Sequence, residues 1–372
     1  MNYTPETELI LCCAQLPISS KTVDRIKDIL KSRLNWDYLF MLAYKNNITS
    51  LFYWQINTIY PEAFPQNILN KFQHIFHTNV KRNIFLTKEL LKLLNLFKEH
   101  DIPAIPFKGP VLTASVYGNL ALRQFLDLDI LFHKQDILKA RNLLISQGYE
   151  NAEKLTYEQE IAQLQSPYVK AYTYRHNGLR VTVELHWQLR ATYSAFPLDH
   201  QSLWERLKPI SLFDVTVFHL SPKDELLYLC VHGAGDRWQK LSQICDIAEL
   251  IRTHQVFDWQ EVMEQASRLG CRRRLFLGLF LAKELLGTNL PEQVWQEIQT
   301  DSLVKWLAKW VCKMLFHQVG ESTKLINKVL FDLGSLERSQ DRMRYCIDRS
   351  ILLIAKKYRL EFSRKYGLPG GK

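Results

Sequence analysis

The chain is expected to fold as an α+β (mixed α/β) protein, a small mixed β-sheet flanked by helices and held between N-terminal and C-terminal helical regions. Three features predict this. Residues 5 to about 98 show apolar side chains at spacings of three and four, the period of a helix with one buried face, and the chain from Ser221 to about 365 also reads as helical. Between these regions, Phe125-Leu-Asp-Leu-Asp-Ile-Leu-Phe132 and Arg180-Val-Thr-Val-Glu-Leu-His-Trp-Gln188 alternate apolar and polar residues with the period of a strand. Ile102-Pro-Ala-Ile-Pro-Phe107 suits a short edge strand, because proline cannot donate to a central ladder.

Taken in order, Thr22 to Leu30 and Ile68 to Phe97 are amphipathic helices. Lys108-Gly109-Pro110 turns the chain after the edge strand, and Val111 to Tyr117 suits a helix with proline in its first turn. The strand at 125–132 follows, then a helix from Gln135 to Gln147 ended by Gly148. After the strand at 180–188, Asp214 to Leu220 reads as a further strand. Ser221-Pro222 is a helix entry, with serine as cap and proline at the first position. The expected division is an N-terminal helical region at 1–98, a sheet core at 99–220, a C-terminal helical domain at 221–366 and a loose tail at 367–372.

At 372 residues, with 47% hydrophobic and 23% charged content, the chain has the composition of a folded, soluble protein. Glu6 and Glu8 precede a short apolar stretch with no basic start, so no secretory signal is apparent. The most apolar run, Leu275 to Ala282, is far too short to span a bilayer. Seven cysteines without a repeating spacing suit reduced thiols in a cytoplasmic protein. The net charge of +10 favours anionic ligands such as nucleotides. Arg272-Arg273-Arg274 and the basic stretch around Lys356, Lys357, Arg359, Arg364 and Lys365 read as solvated helix faces, with an RNA or acidic-partner surface as the alternative.

Strand parity gives the chemistry. Leu126, Leu128, Ile130 and Phe132 point one way, which leaves Asp127 and Asp129 together on the other side. Carboxylates about 7 Å apart at their Cα atoms can converge on one divalent cation. In the later strand Val181, Val183, Leu185 and Trp187 are apolar, and Glu184 and His186 share the polar face. Three carboxylates beside a glycine turn with phosphate-facing backbone donors suit two Mg²⁺ ions and a nucleoside triphosphate.

At Phe107-Lys-Gly-Pro110, Tyr117-Gly118, Arg123 with Phe125-Leu-Asp-Leu-Asp-Ile130, Gln147-Gly-Tyr149 and Val183-Glu-Leu-His-Trp187 the sequence resembles the DNA polymerase β-like nucleotidyltransferase superfamily. Within it the chain is similar to the uncharacterised bacterial nucleotidyltransferase family. The likeness continues through Leu229-Cys-Val-His232, Trp238 and Cys245-Asp246. The resemblance implies a Mg²⁺-dependent enzyme that moves a nucleoside monophosphate, expected to be AMP from ATP, onto an acceptor and releases pyrophosphate. The acceptor would be a small molecule, sugar, peptide or protein; nucleic acid is not favoured and no membrane partner is expected. Pro110 departs from the superfamily turn, where a glycine or serine would supply another N–H donor.

Asp127, Asp129 and Glu184 are thus the expected catalytic residues and metal ligands. Lys108, Gly109, Arg123, His186, His232 and Trp238 are the expected nucleotide- or acceptor-side residues. Each has a plainer reading. Lys108 and Arg123 suit salt bridges, and His186 suits a structural hydrogen bond. His232 suits an imidazolium at a helix C-terminus, and Trp238 suits the core. Asp246 suits a buried pairing with arginine or histidine, and Tyr117 suits packing. An RNA-binding or RNA-modifying protein, or a catalytically silent interaction protein on the same fold, are the alternative functions.

Overall fold

The structure, a computed structural model, describes residues 3–190, 196, 200–254, 257–316 and 325–351. The tail at 367–372 and the basic residues from Lys356 to Lys365 lie outside them. Helices Pro5–Cys13, Ser20–Leu30 and Trp36–Lys45 begin where the side chains of Thr4, Ser19 and Asn35 accept the free N–H groups of Thr7, Thr22 and Tyr38. Thr49–Ile59 and the 34-residue helix Gln66–Glu99 complete the N-terminal region.

The strands are β1 (Ala104–Pro106), β2 (Leu128–Phe132), β3 (Glu150–Asn151), β4 (Ala171–His176), β5 (Val181–His186), β6 (Lys208–Leu212) and β7 (Val215–His219). The first five form a sheet in the order β1-β2-β5-β4-β3, while β6 and β7 pair separately. β2 and β5 are parallel, and the other pairs are antiparallel. A parallel pair needs a long crossover. The chain between them supplies helices Ile137–Ser146 and Tyr157–Gln165 together with β3 and β4.

Register separates the two faces of the sheet. Leu128 stands opposite Val183 and Ile130 opposite Leu185, and these pack with Phe132, Tyr172, Tyr174 and the Leu86–Phe97 side of the long helix. Asp129 stands opposite Glu184 and Leu131 opposite His186 on the other face. Leu131 joins a second core in which Phe52 and Phe72 from before the sheet meet Tyr228, Leu275 and Leu307 from after it. Helices therefore lie against both faces, and on the second face Asp129 and His186 are buried.

Several expected elements change on inspection. The strand expected at 125–132 begins only at Leu128, and Leu126 is 62% exposed instead of joining the apolar face. Gly109 packs against this entry segment, and a Cβ there would stand 3.3 Å from the Asp127 carbonyl oxygen. The helix after the turn starts at Gly109 and widens over Thr113–Tyr117 before Gly118 ends it in the left-handed region. β4, β6 and helix Tyr157–Gln165 lay outside the sequence reading. Their local signals are the buried Tyr172/Tyr174 alternation and the reciprocal capping of Thr156 and Gln159.

The arginine cluster is not a solvated face. Arg272 is ion-paired with Glu297, Arg273 Nε lies 2.7 Å from Asp301, and Arg274 is buried. The cysteines among the described residues are free thiols. No helix among these residues is long and apolar enough to cross a membrane.

Trp238 has zero exposure and fills space left by the absent side chains of Gly233 and Gly278. It belongs to the core and does not face a ligand cavity. Gly233→Ala puts a methyl against this ring and is expected to cost about 1–3 kcal/mol, read as a lower urea midpoint with an unchanged slope.

Candidate active site

Asp129 is 4% exposed, yet it is bonded from two directions. Lys108 Nζ lies 3.2 Å and His186 Nε2 2.9 Å from its Oδ1. The same ring nitrogen is 3.0 Å from Glu184 Oε2, so a proton on Nε2 serves both carboxylates. The sheet register brings this about. Parallel pairing sets Asp129 beside Glu184, and the period of two puts His186 on the same face. Lys108 follows β1, whose antiparallel pairing extends to a Phe107 N–H bond with the Asp129 carbonyl oxygen at 3.3 Å.

Asp127, Asp129 and Glu184 line one cleft of about 500 Å³ between the sheet and helices Pro222–Gly235 and Leu241–Thr253. Lys108, Gly109, Arg123 and His232 line it as well. His186 is fully buried behind the carboxylates, in edge contact with Phe107 at 4.9 Å. Trp238 does not border the cleft.

Charge crowding is visible in the titration of these groups. Burial and the adjacent Asp129 push the Asp127 pKa up, with Lys108 opposing and Glu184 adding to the rise. Asp129 is held well below the ordinary carboxylate range: burial works against its charge, but Lys108 and His186 outweigh it. The His186 hydrogen bond lowers Glu184. Burial also opposes the charge of Lys108, and Asp129 and Tyr228 more than reverse it, so its pKa is raised. Its ammonium stands 5.5 Å from the centres of both the Phe107 and Tyr228 rings.

Asp129, Glu184 and His186 have ligand atoms within 4.8 Å of one another; Asp127 is outside that tightest group. Three carboxylates lining one cleft, two of them repelling the third, are a hard oxygen donor set that suits a divalent cation such as Mg²⁺.

Arg123 and Asp246 make a two-pronged bond across the cleft floor. Nε is 2.8 Å from Oδ1 and Nη2 3.0 Å from Oδ2, while Tyr117 donates to Oδ1 at 2.8 Å. Asp246 thus takes the buried pairing with arginine, and Tyr117 contributes a hydrogen bond as well as packing. Two nitrogens of Arg123 are already engaged, so the guanidinium is less available to a triphosphate than its sequence position suggests. Asn83 holds the Arg123 carbonyl at 2.8 Å, which fixes the loop.

His232 departs from the imidazolium reading. Burial and the nearby Lys108, Arg190 and Lys170 push its pKa well down, so the ring is neutral. Its Nδ1 accepts from Arg190 Nη1 at 3.2 Å. Its position does match that reading, since His232 lies in the last turn of helix Pro222–Gly235.

Lys170 and Arg190 escaped the sequence reading. Lys170 lines the cleft, and burial with the Lys108 and Arg190 charges pushes its pKa down to about 8. No local pattern marks Lys170. Arg190 continues the parity of Glu184, His186 and Gln188, and that was a readable signal.

Against known proteins, a family model described as "Uncharacterised nucleotidyltransferase" matches residues 32–287, well over half of the chain, and the protein belongs to that family of enzymes. No curated protein matches the chain. No solved structure matches it either.

Glu225 lies near the Arg123–Asp246 pair, 1% exposed, and neither of its oxygens has a hydrogen-bond partner among the described residues. Burial and Asp246 raise its pKa to about 8, with Arg123 opposing. An acid whose folded pKa exceeds its unfolded value contributes most below the unfolded value, and stability falls as pH rises through the interval to the folded one. Wild type should therefore lose a few kcal/mol relative to Glu225→Gln between about pH 5 and about pH 8. Urea unfolding of both proteins across that range checks this; parallel curves would assign Glu225 an ordinary pKa.

Proposed function

We propose, starting from that membership, that the protein transfers a nucleoside monophosphate, AMP from ATP, to a hydroxyl or phosphate oxygen of an acceptor and releases pyrophosphate. The acceptor class is a small molecule, sugar, peptide or protein. The observation that supports the reading is the convergence of Asp127, Asp129 and Glu184 on a cleft that the Lys108–Gly109 turn also borders.

Gly109 adopts φ +52°, a conformation that side chains disfavour, and it approaches the Asp127 backbone closely. The turn borders the same cleft as the carboxylates, where a triphosphate would reach both. Pro110 gives this turn one N–H fewer than a glycine or serine would. Lys108 adds a positive charge that Asp129 orients.

Asp127, Asp129 and Glu184 would hold the Mg²⁺ ions, which when bound neutralise triphosphate charge and favour a deprotonated acceptor oxygen. The hydrogen bond from His186 fixes Asp129 and Glu184 in place without further reorganisation. With its pKa lowered by that bond, Glu184 is better suited to holding a cation than to accepting a proton. An RNA-binding role finds less support, because Arg272 and Arg273 are engaged by acidic side chains and Arg274 is buried.

The test is incubation with α-labelled ATP, Mg²⁺ and a cell lysate. Asp127→Asn should reduce label transfer by about a thousandfold or more and leave the thermal melt close to wild type. Asp129→Asn should also abolish transfer, but at a stability cost, because it leaves Lys108 buried without its counter-ion. Full transfer by either variant would end this reading.

A further inference from the structure

We infer that the acceptor is anionic and presents a phosphate or carboxylate group to Lys170. The inference rests on the proposed function and deepens it by naming the chemistry of the acceptor.

Cleft residues follow the order of the strands. Lys108 and Gly109 come directly after β1, Asp127 and Asp129 at the start of β2, Glu184 within β5, and Lys170 directly before β4. Displacement at the α-phosphorus is in line, so the attacking oxygen enters opposite the departing pyrophosphate. With the pyrophosphate at the Lys108–Gly109 end, the acceptor enters from the Lys170 end.

The cations at the two ends differ. Lys108 is ion-paired with Asp129 at 3.2 Å. Lys170 is anchored through its backbone carbonyl, which accepts from Trp187 N–H at 3.0 Å. Among the described residues its ammonium makes no direct ion pair or hydrogen bond, and the Glu184 and Asp129 carboxylates attract it from further off. Arg190 adds a second positive charge near it, positioned by His232 and by the missing side chain of Gly235. Among the described residues the buried Arg190 Nε has no hydrogen-bond partner. Glu184 and Asp129 would be committed to bound cations in the proposed reaction, and an oxyanion would then compensate the two positive side chains.

The transfer balances without an added reactant. The phosphate oxygen of the acceptor, or its hydroxyl oxygen after giving its proton to water, forms the new bond to the α-phosphorus. The bond from that phosphorus to the bridging oxygen breaks, and pyrophosphate leaves with the bridging oxygen and the electron pair.

Calorimetric titration tests this with inorganic phosphate as probe, on protein saturated with Mg²⁺ and α,β-methylene ATP, whose bridge cannot be cleaved. Phosphate should bind wild type, bind Lys170→Met about tenfold more weakly or worse, and recover with Lys170→Arg. Acetate in place of phosphate separates a carboxylate acceptor from a phosphate one. Equal phosphate and acetate affinities in wild type and Lys170→Met would overturn the inference. So would failure of both anions to bind the loaded wild type, or loss of nucleotide affinity in Lys170→Met, which would place Lys170 on the triphosphate. If wild type does not bind the nucleotide at all, the proposed function itself fails, and this inference falls with it.

Discussion

The carboxylate of Asp129 is removed from water and still keeps its charge, because Lys108 and His186 donate to it at 3.2 and 2.9 Å. Desolvating an ion costs several kcal/mol unless close partners replace the water. Here each partner comes from a different neighbouring segment: Lys108 from the end of β1, and His186 from β5. The bonds therefore fix side chains and also lock the relative positions of three segments. Glu184 is drawn into the same arrangement by the second acceptor contact of His186. The site is held rigid by groups that do not all face the cleft, which is how an enclosed polar network gains precision.

A second buried connection ties the sheet to the helices that follow it. Arg123 leaves the loop before β2 and grips Asp246 in helix Leu241–Thr253, with Tyr117 on the same carboxylate. The cleft is bounded by these two networks. One presents negative charge from Asp127, Asp129 and Glu184; the other end carries Lys170 with Arg190 close by. A nucleotidyl transfer asks for such a division, since a cation-bridged triphosphate and the entering acceptor approach one phosphorus from opposite sides. Helix Pro222–Gly235 brings His232 into this arrangement as a neutral acceptor, because the surrounding cations leave no room for another positive charge.

Much of this was open to inspection along the chain. Alternation in 125–132 and 180–188 placed Asp129, Glu184 and His186 on one side of their strands, since a period of two is a local property of extended backbone. Ser221-Pro222 marked a helix start, and Gly109 marked the turn, for equally local reasons. The most apolar run, Leu275 to Ala282, was too short for a membrane-spanning helix, and the motif run at 107–187 pointed to the family. What neighbouring residues could not show was register, which depends on distant strands meeting at a particular offset, as Asp129 meets Glu184. Asp129 lies beside Glu184 only because β2 and β5 pair in parallel. Lys170 enters the cleft only because β4 inserts next to β5. Arg123 is committed to Asp246 and Trp238 to the core because of packing between elements far apart in sequence, which no local period encodes.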